Sequence, residues 1–279
     1  MIKNALAQPF LKWAGGKRYL VPEIRKRLPK GYKTYYEPFL GGGAVFFALQ
    51  PPKAVVNDLN SEIINVYKSV KDNVDKLIIE LKKHKNESDY FYDLRCLDRD
   101  EKKFSKLSSV QKAARIIYLN KTCFNGLFRV NSQGQFNAPF ANYKNPNFVN
   151  KEVLKAVSNL LNTSEIEICN ESYEKMIGKI QKGDFVYIDP PYDPVSDTAS
   201  FTGYNLERFD REEQKKLKSF CDTLDEKGAY FLLSNSSTNF IKKLYSAYTI
   251  DLVKVPRMIN SDASKRGKVD EVLVRNYEV

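Results

Sequence analysis

Asp189-Pro190-Pro191-Tyr192 follows directly on the apolar run Phe185 to Ile188. A Pro-Pro step has no backbone donors, so its carbonyls stay unpaired within the chain, in a geometry made stiff by two rings. The Asp189 carboxylate and the Pro190 carbonyl together form two acceptors suited to both hydrogens of an exocyclic amino group on a planar base. Engaging both hydrogens draws the nitrogen lone pair out of conjugation and aims it at an electrophile, and Tyr192 offers a ring on which the base can stack. A plain proline-rich loop is the duller reading, and the buried strand expected ahead of it argues against that.

Two further groups could serve the same chemistry. Gly41, Gly42 and Gly43 form a glycine turn, and Asp58 lies 15 residues beyond Gly43. Such a turn lets a ligand approach the backbone, and an acid after the next strand can accept from ribose hydroxyls. The pattern departs from G-x-G-x-x-G, and a tight turn with a capping acid remains an alternative. Near the start, Lys17 follows Gly15-Gly16, but Leu11 stands where a phosphate loop needs glycine and Arg18 where it needs Ser or Thr. A nucleotide triphosphatase is thereby excluded. Trp13 and Lys17 instead suit an anionic, partly apolar small molecule, with a solvated lysine beside a core tryptophan as the alternative.

These groups need elements to carry them. Residues 34–50 predict a strand, the glycine turn and a helix start, and residues 54–60 predict a second strand ending in an acid, together a βαβ unit. Residues 61–120 change to helical spacing, as in Ile63, Val66, Tyr67 and Val70. Residues 123–147 are rich in Asn, Gly and aromatics and predict a hairpin and loop, with Ser132-Gln133-Gly134 as its turn. Beyond them the pattern predicts a helix over 153–161, strands over 166–169 and 185–188, a helix over 211–225, and a strand over 229–234. Two closing strands, 250–255 and 271–277, are expected to be antiparallel, with the polar, basic NSDASKRGK loop between them. The expected architecture is an open α/β sheet made from both ends of the chain, residues 1–60 and 164–279. Residues 61–163 form a helical and hairpin insertion. Strand carboxyl ends then meet at one cleft, which brings the glycine turn, Asp58 and Asp189 together.

Composition narrows the class. Lys and Arg number 45 against 34 Asp and Glu, a formal charge of +11 that makes a nucleic-acid partner a serious expectation. Charges interrupt every apolar run well short of the roughly 18 to 20 residues of a membrane span, so none is expected. The N-terminal stretch lacks a cleavage pattern and reads as mature sequence. Cys96, Cys123, Cys169 and Cys221 are scattered without a C-x-x-C pair, and the lone His84 sits among lysines. Reduced thiols in a cytoplasmic protein are expected, and a metal site is not.

The combination of F-L-K-W-A-G-G-K, F-x-G-x-G, D-P-P-Y and E-V-L-V-R-N-Y, in this order with a long insertion, resembles the Dam-type DNA N6-adenine methyltransferases. The likeness is greatest to the GATC-modifying adenine methylases of DpnII-type restriction-modification systems, and it runs nearly the whole length, from Pro9 to the C-terminus. It implies a Rossmann-like S-adenosyl-L-methionine-dependent methyltransferase sheet with an inserted DNA-recognition domain. It further implies that Trp13, Lys17, Phe39, Gly41, Gly43, Asp58 and Asp189 contact S-adenosyl-L-methionine and that Asp189, Pro190, Pro191 and Tyr192 are catalytic. Double-stranded DNA would be the partner of a monomeric enzyme. By the same match Phe124 and Asn125 enter or replace the disrupted base stack, Leu127 and Arg129 read base edges, and Pro139, Tyr143 and Lys12 complete the DNA contact. Phe124 stands where some relatives carry tyrosine. An arginine donating twice to guanine O6 and N7, and an apolar side chain on a thymine methyl, agree with these roles. A methyl-transferring enzyme for cytosine N4 or RNA, a non-catalytic DNA-binding module and a nicotinamide-dependent oxidoreductase are the competing classes.

Overall fold

The computed structural model describes residues 3–13, 15–195, 209–256 and 268–279. The strands, in chain order, are β1 (Tyr35–Glu37), β2 (Lys53–Asn57), β3 (Glu165–Cys169), β4 (Phe185–Ile188), β5 (Tyr230–Ser236), β6 (Thr249–Pro256) and β7 (Lys268–Arg275). They form one sheet in the order β3-β2-β1-β4-β5-β7-β6. The first five are parallel, and β7 is antiparallel to both its neighbours. The expected antiparallel end is present, but β7 slots between β5 and β6 and does not extend the outer edge.

Period-two alternation divides the strands between two buried faces. Tyr35, Phe185 and Tyr187 join one core, while Tyr36, Val186 and Ile188 join the other. All four residues of β4 are buried, as an unbroken apolar run in a covered parallel strand requires. Helices α1 (Val21–Lys26) and α2 (Ala44–Leu49) precede the long α3 (Ser61–Leu81), which Asn60 caps by accepting from the N–H groups of Glu62 and Ile63. The expected second strand therefore stops at Asn57, and Asp58 belongs to the turn into α3. Helices α4 (Ser88–Cys96), α5 (Glu101–Phe104) and α6 (Ser109–Thr122) follow, α6 opening on a capping box of Ser108 and Gln111. Tyr67, Ile117 and Leu154 from residues 61–163 share one buried cluster with Tyr35, Val56 and Phe185 of the sheet.

Residues 123–147 form a hairpin closed by the antiparallel bridges Val130↔Phe136 and Cys123↔Phe140. Its turn runs from Asn131 to Gln135, with Gly134 at φ 78°, which agrees with the expected position. Helix α7 (Lys151–Thr163) leads to β3, α8 (Arg211–Glu226) to β5, and α9 (Asn239–Leu244) to β6. Leu217, Phe220, Cys221 and Leu224 of α8 and Ile241 of α9 cover the second face. The NSDASKRGK loop, up to Gly267, lies outside the described residues. Among the described residues no helix is long and apolar enough to cross a membrane.

The strand order reverses between β1 and β4, since β2 and β3 lie to one side and β5 to the other. A crevice opens outside the carboxyl ends of strands at such a switch point. The glycine turn leaves β1 there, and Asp189 leaves β4.

Candidate active site

At the end of β4, Asp189 Oδ1 lies 3.0 Å from Lys17 Nζ and accepts a hydrogen bond from Ser234 Oγ of β5 at 2.9 Å. Lys17 Nζ also donates to the Gly15 carbonyl at 2.7 Å and stands 4.3 Å from the centroid of the Tyr192 ring. The Tyr192 hydroxyl donates to Glu271 Oε2 of β7 at 2.8 Å. One correction concerns the prolines: the Pro191 carbonyl is not free, because Gln214 Nε2 of α8 donates to it at 2.8 Å. Among the described residues no hydrogen bond reaches the Pro190 carbonyl, so that acceptor of the expected pair remains available.

Asp193 is buried, a surprise for a residue that follows so proline-rich a turn. Its carboxylate accepts from Arg211 Nε at 3.1 Å and Thr238 Oγ1 at 2.7 Å, and its N–H donates to Asn235 Oδ1 at 3.1 Å. It nails the loop to β5 and α8, so the Asp189 to Tyr192 turn is held from behind.

The glycine turn is shaped by its neighbours. Gly41 N donates to Asp58 Oδ2 at 2.8 Å, and Asn60 N donates to Asp58 Oδ1 at 2.9 Å. Both carboxylate oxygens therefore brace backbone, as a capping acid does, while each keeps a lone-pair position. Gly41 has φ 47°, and a Cβ there would meet Trp13 Nε1 at 2.6 Å, so the indole lies directly on the turn. Phe39 takes the other direction and packs on Tyr173 and Phe209, with ring centroids 5.3 Å and 6.0 Å away. Lys17, Asp189 and Tyr192 thus meet beyond the end of β4, and Trp13, Gly41 and Asp58 beyond the end of β1, the two strands at the switch point, with Gly43 preceding α2 and Phe39 supporting from the opposite layer.

A second surface carries the other expected residues. Phe124 is 54 % exposed, and Asn125 beside it adopts φ 56°. Phe124 N donates to the Pro139 carbonyl at 2.8 Å, and Lys12 Nζ lies 4.8 Å from the Tyr143 ring centroid. Leu127 is half-buried, and exposed Arg129 donates to the Asn137 side chain at 2.7 Å and to its carbonyl at 3.0 Å. A buried strut holds the hairpin: Arg115 Nη2 meets Asp98 Oδ2 at 2.7 Å, and that oxygen accepts from Phe136 N at 2.9 Å.

Residues 13–259 match the family model of the D12 class N6 adenine-specific DNA methyltransferases. The chain belongs to that family. The methyltransferase is 46% identical over 272 residues to the type II methyltransferase M1.LlaDCHI of Lactococcus lactis subsp. cremoris, covering 97% of this chain and 95% of the relative. It is 40% identical over 290 residues to the type II methyltransferase M.MjaIII of Methanocaldococcus jannaschii, covering 97% and 99%. It is 35% identical over 269 residues to the DNA adenine methylase of Escherichia coli K12, covering 95% and 93%.

Electrostatics in the methyltransferase's crevice are dominated by buried acids. Burial pushes the Glu37 carboxyl up to about 8, opposed by a hydrogen bond from Tyr35 and reinforced by the charges of Asp189 and Asp58. Burial also raises Asp58, Asp189 and Glu271, and Lys17 opposes that rise at both Asp189 and Glu271. Lys17 is therefore the cation these two carboxylates share. Sequence reasoning missed Glu37, Ser234, Gln214, Glu271 and the Asp98-Arg115 strut. Glu37 was visible as an acid two residues before Phe39, but nothing local marks a partner brought in from β5, α8 or β7.

Proposed function

We propose that this DNA adenine methyltransferase transfers a methyl group from S-adenosyl-L-methionine to N6 of adenine in double-stranded DNA, within 5'-GATC-3', as the modification half of a restriction-modification system. The observation that carries the reading is the Asp189 carboxylate beside the unengaged Pro190 carbonyl, next to an acid-lined crevice at the sheet's switch point. The donor set fits the cofactor. Asp58, Asp189 and Glu271 suit a ligand with a sulfonium and an ammonium, Lys17 suits its carboxylate, and the Trp13 indole and the glycine turn suit its body. When bound, the cofactor supplies a methyl group already activated by positive charge on sulfur.

The chain's own residues then do the positioning. Asp189 and the Pro190 carbonyl hold both amino hydrogens and direct the N6 lone pair out of the ring plane. Asp189, whose proton affinity burial raises, receives the proton that N6 sheds. For the base to stack on Tyr192, Lys17 must leave the face of that ring. The target adenine has to leave the duplex to reach this depth, and Phe124 and Asn125 stand exposed to fill the gap. Thiol addition to the base is not needed, and burial pushes the Cys123 thiol up to about 11, away from the reactive thiolate.

Residues 1–60 and 164–279 carry the chemistry in this reading, while residues 61–163 read the target. The net charge of +11 favours phosphates, so affinity falls steeply with salt. The enzyme acts as a cytoplasmic monomer. Likeness of the 124–143 segment to GATC-modifying methylases supports the target sequence. Methylating random-sequence duplex with labelled S-adenosyl-L-methionine tests the proposal. The label is expected on adenine N6 in a shared GATC context, and label on cytosine N4 or in no common context would refute it.

A further inference from the structure

Lys12 and Trp13 are adjacent in sequence yet are gripped from opposite sides. A Cβ on Gly126, which has φ 64°, would meet Lys12 Cδ at 2.2 Å and Lys12 Cβ at 2.6 Å. The turn that presents Phe124 and Asn125 thus lies against Lys12 with no room for a methyl group. One residue on, a Cβ on Gly42 would meet Trp13 Cβ at 2.9 Å, and the indole also packs on Phe128 at 5.2 Å between centroids. Only two soft dihedrals separate one peptide plane from the next, so neither residue shifts far alone.

Asn120 of α6 locks this arrangement. Its side chain is 1 % exposed. Oδ1 accepts from Lys12 N at 2.8 Å, while Nδ2 donates to the Lys12 carbonyl at 2.8 Å and to the Gly126 carbonyl at 3.1 Å. Both amide hydrogens are used, and they reach two segments more than a hundred positions apart in the chain. Asparagine is a poor helix former, and a buried one inside α6 needs partners of this kind.

We propose that Asn120 is a positioning residue that couples target engagement to methyl-donor binding, by clasping the recognition turn to the Lys12-Trp13 backbone. It touches neither ligand. When the turn enters a duplex, Gly126 moves with Phe124 and Asn125, Asn120 carries Lys12 with it, and Trp13 shifts over the glycine turn. By reciprocity, cofactor held against Trp13 favours the turn's engaged position. The inference rests on the donor cleft and recognition segment assigned under the proposed function. A residue that merely satisfied buried backbone would affect stability and leave the two ligands independent.

The test compares wild type with Asn120→Asp, which keeps the acceptor for Lys12 N–H and loses both donors. Calorimetry measures S-adenosyl-L-methionine affinity with and without a duplex bearing one central GATC, and the emission of Trp13, the chain's one tryptophan, follows duplex binding alone. Wild type is expected to bind the cofactor about fivefold or more tightly in the presence of duplex, within the usual range of such couplings. Duplex alone should change its Trp13 emission. In Asn120→Asp the ratio falls to near one and the emission change is lost, although duplex still binds. Gly126→Ala breaks the same contact from the turn side and decides the matter if Asn120→Asp does not fold. A folded variant that keeps the wild-type ratio, or a wild type that binds both ligands with a ratio near one, overturns the coupling alone. A wild type that binds neither ligand overturns the proposed function beneath it.

Discussion

In the crevice, Asp189 is held by Lys17 and Ser234, Tyr192 by Glu271, Pro191 by Gln214 and Asp193 by four partners, Arg211, Thr238, Asn235 and Ser236. On the proposed recognition surface, Phe124 is over half exposed and the Arg129 guanidinium rests on Asn137 alone among the described residues. Groups that aim a lone pair lose rate when they drift by an ångström, and the residues proposed for that task are locked by neighbours from several elements. The residues proposed to read DNA are held more lightly, the Arg129 guanidinium by Asn137, a partner it must release to donate to a base edge. The Asp98-Arg115 strut fixes the hairpin by holding the Phe136 N–H and not the side chains proposed to read DNA.

The sharpest way to break the contrast is at the locked end. Asp189→Ala is expected to cut methyl transfer by about 10³-fold or more while DNA affinity stays within a few-fold, the scale seen when a preorganised electrostatic group is removed. Near-normal single-turnover rates would mean that the crevice is not where the nitrogen is aimed. A smaller effect is expected at the free end. Arg129→Ala should leave turnover on the best site largely intact and relax discrimination at one base pair by about 1 to 3 kcal/mol. Competition among single-base variants of the site checks it, and an unchanged preference order removes Arg129 from base reading.

The smallest effect sharpens the electrostatic side. Glu37 binds its proton more tightly folded than unfolded, because burial lifts its carboxyl from the ordinary 4.5 to about 8. The stability it contributes is fully present below the unfolded value and is lost as pH rises through the folded one. The cofactor-free melting temperature should therefore fall by a few degrees between pH 5 and 8, and Glu37→Gln should flatten that slope. An identical slope in both proteins would assign the pH dependence to other groups.

Local pattern sufficed for the crevice's floor. The four apolar residues of β4, the three glycines and the proline pair each carry their geometry in their own chemistry, and so they were legible. The hairpin turn at Asn131 to Gln135 was legible for the same reason. Contacts supplied from far along the chain were not. Gln214 taking the Pro191 carbonyl, Glu271 holding Tyr192 and Asp193 turning inward all depend on which strand lies beside β4 and β5, and no spacing encodes that. The second strand ended early because Asn60 caps α3, so a local competitor overrode the expected strand length.

The placement of β7 has a consequence for how the enzyme comes into being. It is made after β6 yet sits inside it, against β5. Until it emerges from the ribosome, β5 shows a line of unmatched peptide groups to its surroundings, a template for mispairing. The wall that Glu271 builds is missing for the same interval. A nascent chain therefore has most of its sheet about a few seconds before β7 completes it, and during that interval the exposed edge of β5 coincides with an unfinished site.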